Sequence, residues 1–257
     1  LLTLYITRRQ DSAQQQQARL DAIALLERQG IAVDQSIVPE RMELAAMLVQ
    51  RDLEQEAAIA LSLLGTAEPT EIIGEVYRYS DAGGNTIQFY SNGEFQAHFY
   101  PGFLSVGEQT ERAHAIALFG QLGIEAEVVK IETQGAATNV VLRQLYQGVP
   151  VLSCQATFVY EKGSLISVRE AQRLIGTPTQ DHAITVMTVP TALIKFLHGM
   201  NELLDVCSGI LSIRPAYVTA HRSGELQLLP VWYIVTDAGE TGVYQLDIIS
   251  GTLSRSS

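Results

Sequence analysis

The succession of short strand-like segments between turn-forming residues constrains the fold of this chain more than any other feature. Asn92-Gly93, the strongest short signal for a two-residue hairpin, separates residues 86–90 from residues 94–100. In the second segment, apolar and more polar side chains alternate from residue 95 onwards, which is the period of a strand with one buried face. The sequence therefore predicts an antiparallel hairpin that turns one face toward a core.

Two helices and two further strands are predicted before this hairpin, and the first of these strands covers residues 31–33. Residues 11–29 and 53–64 carry apolar stripes at helical spacing, and Gly30 and Gly65 follow them as stop signals. Residues 72–79 are rich in strand-forming side chains. The first half of the chain thus combines helices with strands that follow one another directly.

The second half predicts a similar succession. A helix at 109–122 precedes four strands, at 126–132, 139–146, 149–160 and 164–173. A further helix covers about 190–206, where Pro190 suits the first turn and apolar residues recur at helical spacing. Three strands then close the chain, at 213–220, 226–236 and 242–249, with Ser223-Gly224 predicted as a turn.

This order of elements predicts an α+β fold made of two tandem units, each with helices packed on one face of an antiparallel β-sheet. We expect residues 10–104 to form the first unit and residues 105–257 the second, which ends in a three-stranded meander. The segment 19–31 resembles the segment 112–124: both carry an arginine, an Ala-Ile-Ala-Leu run and a closing Gly-Ile. Chance matches between helices are common, but the shared stop favours an internal duplication.

The composition excludes some functions and leaves others open. A formal net charge of −11 opposes binding to a phosphate backbone, so we expect no nucleic-acid partner. Cys154 and Cys207 both lie in apolar surroundings. They are interpreted as two buried thiols, and a disulfide is the alternative that the sequence leaves open.

The first residues suggest a membrane anchor. Residues 1–7 are mostly apolar, and Arg8-Arg9 follows at once. Seven residues are too few to span a bilayer, so residues 1–9 are interpreted as the trailing end of a transmembrane helix. The alternatives are the first strand of a soluble domain or a cloning remnant. The arginine pair mildly opposes an outward-facing domain, because basic flanks usually stay inside the cell.

No pattern of catalytic or metal-binding residues stands out. The sequence has no glycine-rich dinucleotide motif, no Walker loop and no G-x-S-x-G motif. No histidine is spaced with another histidine or a cysteine as metal ligands would be; the histidines are His98, His114, His182, His198 and His221. We therefore expect a protein that is not an enzyme and has no catalytic residue, metal or cofactor.

The C-terminal hairpin carries the most distinctive pattern, and Trp232, the single tryptophan, lies within it. We expect Trp232 to be either a structural anchor of the core or an exposed interface anchor. The stretch resembles the closing hairpin of the YycH/YycI regulators and, more distantly, PepSY-like modules. The residues that carry the resemblance are Leu229 (or Leu228), Pro230, Val231, Trp232, Ile234, Thr236, Asp237, Tyr244, Asp247 and Gly251.

The resemblance implies a single-pass protein of the cell membrane of a Gram-positive bacterium, with its domain on the extracytoplasmic side. Members of that family bind and modulate the sensor histidine kinase of a two-component system and associate with a homologous membrane-anchored regulator, so a homo- or heterodimer is compatible with it. The alternative is an extracytoplasmic module that binds a peptide or a cell-wall fragment, such as a protease inhibitor. An exposed sheet edge or a cleft beside Trp232 would favour the alternative.

Overall fold

The computed structural model describes residues 2–222 and 225–256, which adopt the predicted α+β fold. The helices of this part of the chain are α1 (Leu2–Arg28), α2 (Leu53–Leu64), α3 (Glu111–Gln121) and α4 (Val189–Glu202). Its strands are β1 (Ala32–Val33), β2 (Met47–Val49), β3 (Glu71–Ile73), β4 (Val76–Ser80), β5 (Thr86–Phe89), β6 (Glu94–His98), β7 (Leu104–Ser105), β8 (Ala126–Gln134), β9 (Ala137–Tyr146), β10 (Val149–Glu161), β11 (Ser164–Gln172), β12 (Pro178–Gln180), β13 (Gly209–Arg222), β14 (Glu225–Thr236), β15 (Val243–Asp247) and β16 (Leu253–Arg255). The predicted turn at Ser223-Gly224 lies outside the described residues.

Two compact units divide the chain. We call the first the terminal unit; it consists of Leu1–Ala46, Gln180–Ala216 and Leu229–Ser257. The central unit consists of Met47–Thr179 and Tyr217–Leu228. The two units are therefore interleaved along the sequence and do not follow one another as the tandem arrangement predicts.

The predicted boundary between residues 104 and 105 lies inside the central unit. Its strands β8-β9-β10-β11-β6-β5-β4-β3 are neighbours in that order, and each of these pairs is antiparallel. The strands β6 and β11, which come from opposite sides of the predicted boundary, pair through Ala97 and Val168. These ladder hydrogen bonds explain why the two segments form one unit.

A helix followed by four strands is the repeated element of the fold. In the central unit it occurs as α2 with β3–β6 and as α3 with β8–β11. Both helices contribute to one apolar cluster with the sheet, in which Phe119 and Phe158 meet edge to face at 4.8 Å between ring centroids. The same order recurs further along the chain as α4 with β13–β16, of which β13 and β14 are shared between the two units.

The similarity between residues 19–31 and 112–124 reflects the way in which the two helices end, and the elements that follow them differ. Both segments end a helix in the same way, because Ile31 N–H donates to Leu26 O and Ile124 N–H donates to Phe119 O. However, α1 is followed by the two-residue strand β1, which runs parallel to β13, and not by a four-stranded meander. The match therefore reports a shared helix ending.

Local sequence signals account for most element ends. The carboxylate of Asp52 accepts a hydrogen bond from Gln55 N–H at the start of α2, and Thr110 caps α3 in the same way. Residues 72–79, predicted as one strand, form β3 and β4 because Gly74 adopts a φ of 60° between them. No helix within the described residues combines the length and apolar character that crossing a membrane requires.

Gly93 is required at the tip of the predicted hairpin for two reasons. Its φ is 89°, which side-chain-bearing residues rarely adopt. A Cβ atom at this position would also lie 2.6 Å from the carbonyl oxygen of Arg173. The hairpin between β5 and β6 is thus confirmed, and its tip contacts the chain immediately after β11.

A buried ion-pair network links the two repeats of the central unit. Glu56 of α2 is completely buried and accepts hydrogen bonds from Arg173 at 2.8 Å and from Arg51 at 2.9 and 3.0 Å. Arg173 follows β11 and has only 3% of its side chain exposed. Burial lowers the pKa of Arg173, the charge of Glu56 acts against that shift, and the charge of Arg51 adds to it. Glu56 is therefore the carboxylate that neutralises a buried cation between the repeats.

We expect Glu56→Gln to destabilise the protein by about 3–5 kcal/mol, because it leaves Arg173 buried without a counter-charge. Glu54→Gln is the matched control, since Glu54 lies exposed in the first turn of the same helix and should change stability by less than about 0.5 kcal/mol. Urea unfolding followed by circular dichroism measures both. Equal effects of the two substitutions would show that the network contributes nothing specific.

Candidate functional site

The terminal unit contains a cleft of about 560 Å³ beside Trp232. Apolar and charged side chains line it together: Pro39, Met42, Leu44, Pro215 and Trp232 are apolar, and Glu40, Arg41 and Glu43 are charged. Arg41 and Glu43 are largely exposed and form an ion pair at 3.3 Å. The volume and the mixed lining are typical of a site for a small ligand or a short peptide segment.

Unpaired backbone groups distinguish one wall of this cleft. Between the 3-10 turn at Gln35–Ile37 and β2 the chain has no regular secondary structure, and residues 40–45 make no backbone hydrogen bond to any other described residue. Burial alternates along residues 42–44, where Met42 and Leu44 are partly covered and Glu43 is exposed. This wall therefore offers free N–H and C=O groups beside an apolar surface.

The lining of the cleft also includes Pro215, which lies on an open strand edge. Outward from β14, the strand β13 pairs with β1 at residues 209–210 and with β10 at Tyr217. In the described part of the chain no strand pairs with this edge at residues 211–216. Proline is typical of such an edge because it has no N–H to donate.

Arg19 of α1 holds the start of the cleft wall. Its guanidinium donates from Nε to Pro39 O at 3.0 Å, and from Nη2 to Val38 O at 2.8 Å and Gln35 O at 2.5 Å. Arg19 is 5% exposed, and no ion pair joins it to a carboxylate among the residues described. The carbonyl groups of this short segment thus replace the counter-charge that a buried arginine normally needs.

Trp232 is a core residue that borders the cleft. It is 1% exposed and belongs to a buried cluster that includes Ile23 of α1 and Phe196 of α4. On β14 it lies opposite Leu246 of β15, inside the predicted C-terminal hairpin. Of the two predicted roles, the geometry fits the structural anchor; its ring is not displayed as an exposed interface anchor.

A second cleft, of about 480 Å³ in the central unit, is a weaker candidate. Its polar lining includes Arg51, Asn92 and His221. Arg51 already binds Glu56 and donates to Glu75 O, and the Asn92 side chain accepts from Glu94 N–H. His221 Nε2 lies 3.4 Å from the Asn92 carbonyl oxygen. Because these groups are engaged in holding loops together, we place the candidate site in the terminal unit.

The remaining residues singled out from the sequence do not converge on a site. Both cysteines are free and buried, so the disulfide alternative is not what the structure has. Burial raises the pKa of Cys154 to about 12, and burial also raises the pKa of Cys207. His114 Nδ1 lies 2.9 Å from the Tyr160 hydroxyl, and burial lowers the pKa of His114. Among the described residues, no three His, Cys, Asp or Glu side chains are grouped to hold a metal ion.

The wall at residues 39–44 had no periodic signal by which sequence reasoning could find it. Pro39 and the adjacent charged pair Glu40-Arg41 indicate a loop and nothing more. Arg19 was visible only as part of the match between residues 19–31 and 112–124. Its counterpart in that match, Arg112, is exposed, so the shared arginine does not have the same role in both places.

Among known proteins, similarity to this chain is found in solved structures. No family profile and no curated protein matches the sequence. The chain is similar to the crystal structure of an uncharacterized protein from Eubacterium rectale, with 10% identity and a TM-score of 0.44 over 88% of this chain and 90% of that chain. It is also similar to the Bacillus megaterium YpeB C-terminal domain, with 9% identity and a TM-score of 0.40 over 82% and 99%.

We expect Arg19→Met to loosen the cleft wall, because it removes three hydrogen bonds to carbonyl groups while keeping an apolar stem. Trypsin should then cleave faster after the exposed Arg41, and the free energy of unfolding should fall by about 1–3 kcal/mol. Arg112→Met is the matched control on α3 and should change neither quantity. Unchanged cleavage after Arg41 in Arg19→Met would show that Arg19 does not hold this segment.

Proposed function

We propose that this protein is a non-catalytic binding protein that takes up an extended polypeptide segment in the cleft of its terminal unit. The observation that carries the proposal is the unpaired backbone of residues 40–45 beside an apolar lining. An extended peptide satisfies free N–H and C=O groups by adding itself as a strand, and its alternate side chains fill apolar pockets. This is the function that needs the fewest features beyond those of the cleft.

The lining favours a peptide over a cell-wall glycan. A sugar needs many hydrogen-bonding partners, whereas Met42, Leu44 and Pro215 offer apolar surface. Trp232, the one aromatic side chain that borders the cleft, is almost completely buried and has no open ring face. Glu43 is paired with Arg41, which leaves Glu40 as the excess charge of the lining and favours a segment that carries lysine or arginine beside its apolar side chains.

The identity of the partner is a further part of the proposal. The hairpin that resembles the YycH/YycI regulators supports an extracytoplasmic sensor histidine kinase, or a homologous membrane-anchored regulator, as the protein that supplies the segment. In this role the protein would shift the balance between two states of the kinase by binding one of them more tightly. A bacterial two-hybrid assay with the full-length proteins addresses this part separately, and failure to detect either partner would count against it.

The peptide-binding proposal can be tested with end-blocked eight-residue peptides in which leucine or valine alternates with lysine or threonine. We expect fluorescence anisotropy to show binding to the wild-type protein, and methylation of alternate peptide nitrogens to abolish it, since a methylated amide cannot donate to the wall. We expect Leu44→Asp to weaken binding at least tenfold, because it places a charge in the apolar lining.

Leu61→Asp is the matched control for Leu44→Asp. Leu61 lies on α2 with 52% of its surface exposed and does not line the cleft, so this variant should bind the peptides as the wild type does. Equal binding by wild type and Leu44→Asp, or indifference to methylation, would overturn the proposed site. Neither result depends on whether a kinase is the natural partner.

A further inference from the structure

One face of the central sheet points away from α2 and α3. Alternate residues of β5, β6 and β11 are buried in the apolar cluster that these helices share with the sheet, among them Ile87, Ala97 and Val168. The residues between them point to the opposite face. There they border a shallow cup of about 210 Å³, which we call the polar cup; its polar lining consists of Thr86, Gln88, Gln96, His98, Ser167 and Arg169.

Strand pairing brings five of these residues into two short rows. Thr86 of β5 lies opposite His98 of β6, and His98 lies opposite Ser167 of β11. Gln88 lies opposite Gln96 in the neighbouring row. Because directly opposed side chains on paired strands have Cβ atoms about 5 Å apart, one small ligand can reach all five residues.

Arg169 enters the polar cup at an irregularity of β11. The pairing of β11 with β6 shifts register between Val168 and Ala171, so that Arg169 and Glu170 together face Gln96. Glu170 has a φ of 49°, and it does not line the cup. Bulges of this kind redirect side chains and are frequent beside functional sites. The irregularity thus accounts for the guanidinium at the end of the second row.

The side chains of the polar cup are not engaged within the chain. None of the six forms a hydrogen bond or an ion pair with another described residue. Charged residues elsewhere on the same sheet are paired; these pairs are Arg78–Glu71, Lys130–Glu132 and Arg143–Glu127. The donors and acceptors of the cup are therefore available to water or to a ligand.

The charge of the polar cup is opposite in sign to that of the chain. Arg169 is the only charged residue among the described residues of the lining, and none of them is Asp or Glu. The chain as a whole has 28 acidic and 17 basic residues and a net charge of −11. An exposed guanidinium without a carboxylate partner offers a planar pair of donors to an oxyanion of a ligand.

A single guanidinium favours a carboxylate over a phosphate monoester. One carboxylate carries one negative charge, which Arg169 neutralises. A phosphate monoester carries about −1.5 to −2 at neutral pH, so it would leave negative charge uncompensated on a protein that is already acidic.

The uncharged groups of the cup indicate the rest of the ligand. Its two amides, two hydroxyls and imidazole can both donate and accept hydrogen bonds, as the hydroxyl groups of a sugar do. Tyr100, which follows β6, is 54% exposed, and its ring meets that of His98 edge to face at 5.9 Å between centroids. An exposed tyrosine ring offers apolar surface to one face of a sugar ring while its hydroxyl stays in water.

From these observations we infer that the polar cup binds a sugar acid, that is, a hydroxyl-rich ring that carries one carboxylate. Arg169 holds the carboxylate, and the amides and hydroxyls of the two rows bind the ring hydroxyls. The cup is smaller than the roughly 300–1,000 Å³ of sites for drug-sized ligands, so it accommodates a single ring. This site is separate from the peptide cleft and lies in the other unit.

A chemical-shift titration of the isotopically labelled full chain tests this inference, with methyl β-D-glucuronide as the probe. We expect shifts at the residues of the polar cup and a dissociation constant on the order of 1 mM, since one small ring makes few contacts. Methyl β-D-glucoside, in which a hydroxymethyl group replaces the carboxylate, should bind at least tenfold more weakly. Glucose 6-phosphate should also bind more weakly than the glucuronide.

Arg169→Gln should weaken binding of the glucuronide at least tenfold and leave the melting temperature unchanged, because Arg169 is exposed and has no ion-pair partner among the described residues. Arg112→Gln is the matched control: it removes an exposed arginine from α3, changes the net charge equally and should leave binding unchanged. Gln96→Leu keeps the charge of the cup and should weaken binding through the loss of hydrogen bonds.

Four results would overturn the inference. The first is the absence of any shift with the glucuronide up to about 50 mM. The second is equal binding of the glucuronide and the glucoside, which would show that the carboxylate is not recognised. The third is equal binding of the glucuronide by wild type and Arg169→Gln, or an equal loss in Arg169→Gln and Arg112→Gln. Tighter binding of glucose 6-phosphate than of the glucuronide is the fourth, since it would contradict the assignment of a carboxylate.

Discussion

The burial of Arg19 against three backbone carbonyl groups is the interaction on which the candidate site depends. A guanidinium removed from water is costly unless its donors find acceptors, and here the acceptors belong to the segment that begins the cleft wall. These hydrogen bonds link α1 to the start of the cleft wall, where residues 40–45 are not hydrogen-bonded to a strand in the described part of the chain. In the central unit the buried Arg173 meets the same requirement with the carboxylate of Glu56. Carbonyl dipoles stabilise the buried arginine of the terminal unit, and a carboxylate stabilises that of the central unit. In the terminal unit, residues 40–45, which follow these carbonyl groups, make no backbone hydrogen bond to other described residues.

Local signals in the sequence were sufficient for elements whose structure depends on near neighbours. The hairpin at Asn92-Gly93 and the long strand predicted at 149–160 match β5, β6 and β10 closely, because turn chemistry and alternation act over a few residues. The helix with Pro190 in its first turn is likewise present as α4. The strand-like segment 31–33 is present as β1, but the short strands β7, β12 and β16 were missed, since two or three residues carry no measurable period.

Features that depend on distant parts of the chain could not be predicted in this way. β6 and β11 are the edge strands of two separate meanders, and they pair with each other. No local sequence pattern specifies that these two edges form the pair. For the same reason the interleaving of the two units was not foreseen. The candidate site combines both difficulties: residues 39–44 are irregular, and the carbonyl groups that bury Arg19 lie 16 to 20 residues further along the chain.

The state of the two cysteines has a practical consequence for experiments on this protein. Nucleophilic attack requires a thiolate that reagents can reach. Cys154 is fully buried, and burial raises its pKa to about 12. Cys207 is 8% exposed and its pKa is also raised. A cysteine introduced on the surface would consequently react with maleimides far faster than either native one. Fluorophores or spin labels could therefore be attached at chosen positions in the otherwise unaltered chain.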